Sequence, residues 1–286
     1  MKIVVTGASG FIGRAFMQAL SDQQVTGTCF AHPEPGLKQF DLRDRTRVRD
    51  FLTETAPEVV IHCAARPTVD WCEHNEAEAR LLNVETTATL ADECARLAAT
   101  LVFISTDYVF DGVAGPYSED DRTNPINVYG RLKLEAEQTI HQKLDNHLIV
   151  RTTNVYGFDV KSKNFLMGIL PRLARGEPIT VASDQFGNPT FITDLCLVVR
   201  ELIEKEGRGV FHVVGPDWMN RVEWAQQAAQ VFGIEPALVT GALTEELNQS
   251  APRPRLSGLV SRRLPSISNT PLRNLSEGLQ AMRRQM

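Results

Sequence analysis

The stretch Lys2-Ile-Val-Val-Thr6-Gly7-Ala-Ser9-Gly10-Phe11-Ile12-Gly13 decides the fold. An apolar, β-branched run passes through glycines into a segment, Phe11 to Leu20, whose apolar residues recur at helical spacing, which is a strand-to-helix junction. The N-terminus of such a helix offers unpaired N–H groups and partial positive charge, and glycines let backbone approach a pyrophosphate closely. Here the glycines step by three, G-x-x-G-x-x-G, and do not follow the G-x-G-x-x-G spacing. A tight turn with close helix packing is the plain alternative; the position at the first such junction favours a dinucleotide.

Outward from this junction the alternation continues. Short apolar runs recur at Val25–Phe30, Val59–His62, Leu101–Ile104 and Leu148–Val150, separated by helical patterns over Arg45–Thr55, Glu76–Ala98 and Tyr129–Leu144. Strand alternating with helix predicts an α/β fold with a doubly wound, Rossmann-type parallel sheet, a NAD(P)-binding domain over residues 1–151. After Arg151, Gly and Pro recur between shorter pieces: helices over Phe165–Arg175, Asp194–Glu204 and Arg221–Phe232, and strands over Ile179–Val181 and Val210–Val214. Residues 152–286 are therefore expected to form mainly a smaller α/β substrate lobe, with some segments returning to the first domain and a cleft where the parallel strands end.

Composition sets the outer bounds. At 286 residues, 43% hydrophobic and 23% charged, the chain is neither collagen-like nor disordered. A net charge of −5 supplies no global field for a nucleic-acid backbone, so nucleic acid is not an expected partner. Residues 251–286 are the local exception, with arginines at 253, 255, 262, 263, 273, 283 and 284 against the single acid Glu277; the strip is either a solvated surface or a grip for a diphosphate. No apolar run reaches 18 residues and no signal-peptide pattern opens the chain, so the expectation is a cytoplasmic protein off the membrane. Five cysteines without a C-x-x-C pair read as reduced, mostly buried thiols, and no metal site is expected.

The acid that would hold the adenosine ribose of NAD at the end of the second strand is missing: Cys29, Phe30, Ala31 and His32 stand there. NADP is favoured, with His32 or Lys38 able to meet its 2′-phosphate, and NAD stays open. Asp41-Leu42 could face the adenine edge, or Asp41 could cap the helix beginning near Arg45. Tyr129-Gly-Arg-Leu-Lys133 opens a helix and puts phenol and ammonium on one face. Bringing a tyrosine from a pKa near 10 to neutrality takes roughly 4 kcal/mol of preferential phenolate stabilisation. A neighbouring ammonium and a nicotinamide cation could supply it. Ser105-Thr106 ends the apolar run Leu101–Ile104, where an open parallel sheet places its reacting groups, and a hydroxyl there can bond the oxygen that the Tyr protonates.

With T-G-x-x-G-x-x-G at Thr6 to Gly13 and the trio Thr106, Tyr129 and Lys133, the chain resembles the extended short-chain dehydrogenase/reductase superfamily. Ser105-Thr-Asp-Tyr-Val-Phe-Asp-Gly112, Asn124-Pro-Ile-Asn-Val-Tyr-Gly130, Asp184-Gln-Phe-Gly-Asn-Pro-Thr190 and Val69-Asp70-x-x-Glu73 resemble the dTDP-4-dehydrorhamnose reductases. That resemblance implies reduction of a nucleotide-linked 4-keto-6-deoxysugar. Tyr129 would deliver the proton to the 4-oxygen, Thr106 would bond the same oxygen, Lys133 would hold the nicotinamide ribose and lower the Tyr pKa, and the nicotinamide would supply hydride. It further implies cofactor contacts from Gly7, Ser9, Gly10, Phe11, Ile12, Gly13, His32, Asp41, Leu42, Cys63, Ala64, Ala65 and Ser105. Substrate contacts are implied for Val69, Asp70, Asp107, Asn154, Gln185, Arg253 and Arg255.

Asn154 stands where a Trp near the sugar is usual, and Arg66-Pro67 and Trp71 where small or polar residues are more frequent, so the sugar stays open, as does the choice between monomer and homodimer. The chain also resembles the regulatory subunit of methionine adenosyltransferase through His62-Cys-Ala-Ala-Arg-Pro67 and Tyr108-Val-Phe-Asp-Gly112, which makes a non-catalytic NADP-binding subunit the alternative. A 4-epimerase uses the same trio. In related dehydratases an Asp-Glu pair follows the strand-end Thr; here Tyr108 follows Asp107, which removes the base for 4,6-dehydration.

Overall fold

The computed structural model describes residues 1–161 and 164–286. Its first half alternates as the apolar pattern predicts: β1 (Lys2–Thr6), α1 (Phe11–Ala19), β2 (Gln24–Cys29), β3 (Lys38–Gln39), α2 (Arg45–Thr55), β4 (Val59–His62), α3 (Val69–His74), α4 (Glu76–Arg80), α5 (Thr86–Leu97), β5 (Thr100–Thr106), α6 (Val128–Lys143) and β6 (His147–Thr152). Shorter elements follow: β7 (Val155–Tyr156), α7 (Phe165–Leu173), β8 (Ile179–Ala182), β9 (Phe186–Gly187), β10 (Thr190–Phe191), α8 (Ile192–Glu204), β11 (Gly209–His212), β12 (Met219–Asn220), α9 (Arg221–Val231), β13 (Val239–Ala242) and α10 (Leu275–Arg283).

Seven strands form one sheet in the order β11-β6-β5-β4-β1-β2-β3, every neighbouring pair parallel. The chain winds outward from β1 to β3, then restarts at β4 and winds the other way, so the crevice of the fold opens at the carboxyl ends of β1 and β4. Successive side chains alternate between two cores. Ile3, Val5, Ile61, Val102 and Val150 pack with Phe16 of α1 and Leu195 and Val199 of α8, while Val4, Val60, Leu101, Phe103 and Ile149 pack with Phe51, Leu90 and Ile140 from α2, α5 and α6. Burial on both faces is why these strands read as unbroken apolar runs. Each such side chain contributes about 1.5–3 kcal/mol when fully buried.

Two expectations change. The helix read over Glu76–Ala98 is interrupted at Leu81–Glu85 by a wider turn with i to i+5 bonding, and Asn83, buried in that turn, accepts the Arg66 N–H at 2.8 Å. Val210–Val214 does not build the small lobe: Gly209–His212 joins the main sheet beside β6, with Val210 opposite Ile149, because Phe211 and Val213 belong to the first core. α8 returns with it. The remaining lobe gathers α7, α9 and α10 around Tyr156, Trp224 and Leu279, edged by the pairs β7–β10, β9–β12 and β8–β13. Residues 251–260 lie across both halves as a strap, with Leu256 N–H on Gly112 O at 2.8 Å and the Phe186 N–H on Arg255 O at 2.7 Å.

The start of α6 is fixed from three sides. Asn127 caps it, accepting the Gly130 N–H at 2.8 Å, Glu73 accepts the Val128 N–H at 3.0 Å, and a Cβ on Gly130 would run into the Tyr108 carbonyl oxygen. Gly130→Ala is therefore expected to cost about 1–3 kcal/mol, read as a lower guanidinium midpoint; an unchanged midpoint would mean that α6 can slide along the sheet without penalty.

Candidate active site

At the crevice, Gly7 adopts φ 66°, and a Cβ there would come within 2.7 Å of the Ala64 backbone. The glycine turn and the loop after β4 thus approach as closely as backbone allows. Gly10 caps α1, Gly13 sits against the Gly7 carbonyl, Ser9 borders the turn, and Phe11 and Ile12 lean on the first core. Cys63 follows β4 in the same crevice; burial pushes its thiol up to about 12, so it carries no thiolate. Ala64 and Ala65 continue this loop, which is pinned at one end by the Ala64 N–H to Thr6 Oγ1 at 3.4 Å and at the other by Asn83. Beneath it His62 bridges Thr6, at 2.7 Å, and Thr87, at 3.1 Å, and burial pushes its pKa down to about 3. An imidazole held neutral this way works as a strut.

The adenosine side differs from expectation in part. His32 and Lys38 are exposed. Glu34, two residues past His32, folds back to Arg14 of α1, at 3.4 Å, and to Lys161, at 2.9 Å, so an acid does stand near the glycine turn, with its charge paired. Asp41 accepts from Arg43, and Asp44 rather than Asp41 caps α2 through the Arg47 N–H. Leu42 packs against the second core.

The carboxyl end of β5 brings the expected trio together. The Tyr129 phenol lies beside Thr106, whose hydroxyl acts to lower its pKa. Thr106 Oγ1 also donates to Asp107 Oδ1 at 3.1 Å and accepts the Tyr108 N–H at 3.2 Å. Lys133, 3% exposed, donates to Ile104 O at 2.6 Å and lies 3.8 Å over the Phe103 ring. Burial pushes its pKa down to about 7. Burial first, then Asp107, push the Tyr129 phenol up, so the expected lowering falls to a nicotinamide cation acting together with Lys133. Asp107 is itself pushed up by burial against bonds from Ser257, Thr153 and Thr106. Ser105 turns its hydroxyl to the carboxylate of Glu137, at 2.5 Å. Glu137 in turn takes Arg151 Nη2 at 2.6 Å and Nε at 3.0 Å, both residues about 5% exposed.

The substrate-side residues meet in pairs. Asp70, next to Val69 at the start of α3, accepts Arg253 Nη2 at 2.7 Å, the Ala251 N–H at 3.0 Å and Ser250 Oγ at 3.1 Å; these bonds outweigh burial and hold its carboxyl below the usual range. Arg253 is thus latched across the cleft, and Arg255 is paired with Glu245, at 2.5 Å, and Asp184, at 3.5 Å. Gln185 donates to Thr244 Oγ1 and Gln249 Oε1 and ties the β8–β9 turn to the segment that follows β13. Asn154 has φ 48° and accepts Arg221 Nη2 at 3.2 Å. Sequence reading passed over His62, Asn83, Glu137 and Arg221. Only Glu137 left a signal, one helical turn after Lys133.

A family model described as the RmlD substrate binding domain matches residues 1–286. The chain belongs to this family. Among members and relatives, the dTDP-4-dehydrorhamnose reductase of Mycolicibacterium smegmatis is 35% identical over 286 residues, covering 98% of this chain and 84% of the relative. Methionine adenosyltransferase 2 subunit beta of Bos taurus is 31% identical, covering 95% and 85%. A crystal structure of the Bacillus anthracis dTDP-4-dehydrorhamnose reductase in complex with NADP superposes with a TM-score of 0.91 at 28% identity, covering 100% of both chains. Among the described residues no cluster of side chains could hold a metal ion and no helix is long and apolar enough to cross a membrane.

The buried Lys133 makes stability depend on pH. The folded chain releases that proton near pH 7 while the unfolded chain keeps it to about 10.4, so between these values the unfolded state binds more protons and stability rises with pH. Wild type should gain on Lys133→Met as ligand-free unfolding is followed from pH 7 to 9; a constant difference would contradict a neutralised lysine.

Proposed function

We propose that this chain is an NAD(P)H-dependent reductase of a nucleotide-linked 4-keto-6-deoxysugar, with NADP the favoured cofactor. The observation that carries the reading is the gathering of Thr106 at the end of β5 with Tyr129 and buried Lys133 at the start of α6, at the crevice where the strand order reverses. The cradle fits a dinucleotide: Gly7 leaves no room for a Cβ, and Gly10 and Gly13 carry the turn into α1, whose first N–H groups suit a pyrophosphate. The Bacillus anthracis relative binds NADP in this fold. Bound there, the cofactor supplies hydride to the sugar C4.

The protein's own groups do the rest. A phenol held protonated suits Tyr129 to give its proton to the 4-oxygen as that oxygen gains charge. Thr106, anchored by Asp107 and the Tyr108 N–H, positions the same oxygen. Lys133 stays near neutral pKa until an electron-rich neighbour raises it, so its charge builds where the phenolate forms. Asp70, Asp107, Asn154, Gln185, Arg253 and Arg255 would line the sugar-nucleotide side.

The relationship to methionine adenosyltransferase 2 subunit beta keeps a regulatory role as the competing reading; the intact trio favours turnover. Wild type should oxidise NADPH with dTDP-4-dehydrorhamnose, and Tyr129→Phe should lose about 100-fold or more in kcat with NADPH affinity unchanged. A wild type inert towards nucleotide 4-ketosugars that instead alters the kinetics of an added methionine adenosyltransferase would overturn the enzyme reading.

A further inference from the structure

Arg221 opens α9 and reaches into the cleft between the lobes. Its guanidinium lies 5.2 Å over the Phe165 ring, donates to Asn154 Oδ1 at 3.2 Å and lies near enough to the Tyr108 hydroxyl for its charge to lower that pKa. All three neighbours are neutral. Among the described residues no carboxylate lies within ion-pair distance of it; Glu223, on the same helix, is committed to the Asn220 N–H at 3.0 Å. The contrast is with Arg253 on the opposite wall, which also acts on Tyr108 but whose charge Asp70 neutralises at 2.7 Å. A cation at the first turn of a helix also opposes the helix dipole. A partly buried, dipole-opposed cation without an ion pair costs stability that its ring contact and neutral hydrogen bond offset only in part.

Its location says what relieves that cost. Tyr108 stands edge-on to Tyr129, ring centroids 6.0 Å apart, so the group beside Arg221 borders the reacting phenol. Asn154, where the resemblance expects a Trp, is the acceptor that aims the guanidinium there. We propose that Arg221 is a specificity-determining residue that binds an anionic group of the sugar nucleotide, either its diphosphate or a carboxylate on the sugar. This rests on the nucleotide-sugar reading above.

Binding of dTDP, dTDP-glucose and dTDP-glucuronic acid to the NADP⁺-saturated protein, measured by calorimetry for wild type, Arg221→Met and Arg221→Lys, tests it. Arg221→Met should bind about ten- to a hundred-fold more weakly, with partial recovery in Arg221→Lys and unchanged affinity for NADP⁺. A loss already present with dTDP places the diphosphate at Arg221, whereas a loss confined to dTDP-glucuronic acid places the sugar carboxylate there. Equal affinities in wild type and Arg221→Met for all three, or a parallel fall in NADP⁺ affinity and thermal midpoint, would overturn the inference while leaving the nucleotide-sugar reading intact. A wild type that binds none of the three would overturn both.

Discussion

One buried carboxylate ties the site to the fold. Glu137 on α6 takes two bonds from Arg151 on β6 and one from Ser105 on β5, and together with Lys133 on Ile104 O it holds the helix in register on the paired strands β5 and β6. Ser105 precedes Thr106, and Lys133 lies one turn before Glu137, so this register also sets where the trio meets. Desolvating two charges is expensive, and the geometry must recover that cost. Here it nearly does: the guanidinium face rests 5.3 Å from the Phe110 ring, and only Arg151 Nη1 is left without a hydrogen-bond partner. Removing either partner would strand the other's charge in the core, at a typical cost of about 3–5 kcal/mol.

The titratable groups of the crevice are arranged to carry little net charge before ligands arrive. His62 is neutral, Lys133 is near its midpoint at pH 7, and Tyr129 and Asp107 are both biased towards their protonated forms. Uncompensated positive charge stays at Arg221, while Arg253 and Arg255 are latched by acids. An anionic dinucleotide and an anionic sugar nucleotide both suit such a surface, because their charge meets cations or helix termini and no bare carboxylate.

Much of this was legible in sequence because it rests on local rules. Period-two and helical patterns locate the strands and helices of the first half, the glycine spacing locates the cradle, and Tyr129 to Lys133 is a one-turn step. What escaped depends on long-range contact. Val210–Val214 looks like any short strand, and its place beside β6 is decided by Phe211 and Val213 meeting a core built from residues far earlier in the chain. Ser105 and Thr106 are adjacent hydroxyls in sequence, yet the strand turns one towards Glu137 and the other towards Tyr129. The partners of Arg253 and Arg255 were equally invisible: Asp70, Glu245 and Asp184 are remote in sequence or separated by loops and meet them only in the fold. The upward push on the Tyr129 phenol was not legible because spacing reveals neighbours on a helix and says nothing about how deeply they are desolvated.

The dependence of the site on the buried pair is measured by a double-mutant cycle on Glu137→Gln and Arg151→Met, followed by guanidinium unfolding and by kcat for NADPH-dependent ketosugar reduction. The account predicts that each single change lowers both stability and kcat, and that the double mutant recovers part of the stability, with a coupling energy of about 2 kcal/mol or more. Additive changes within about 0.5 kcal/mol, with kcat untouched by either substitution, would contradict it.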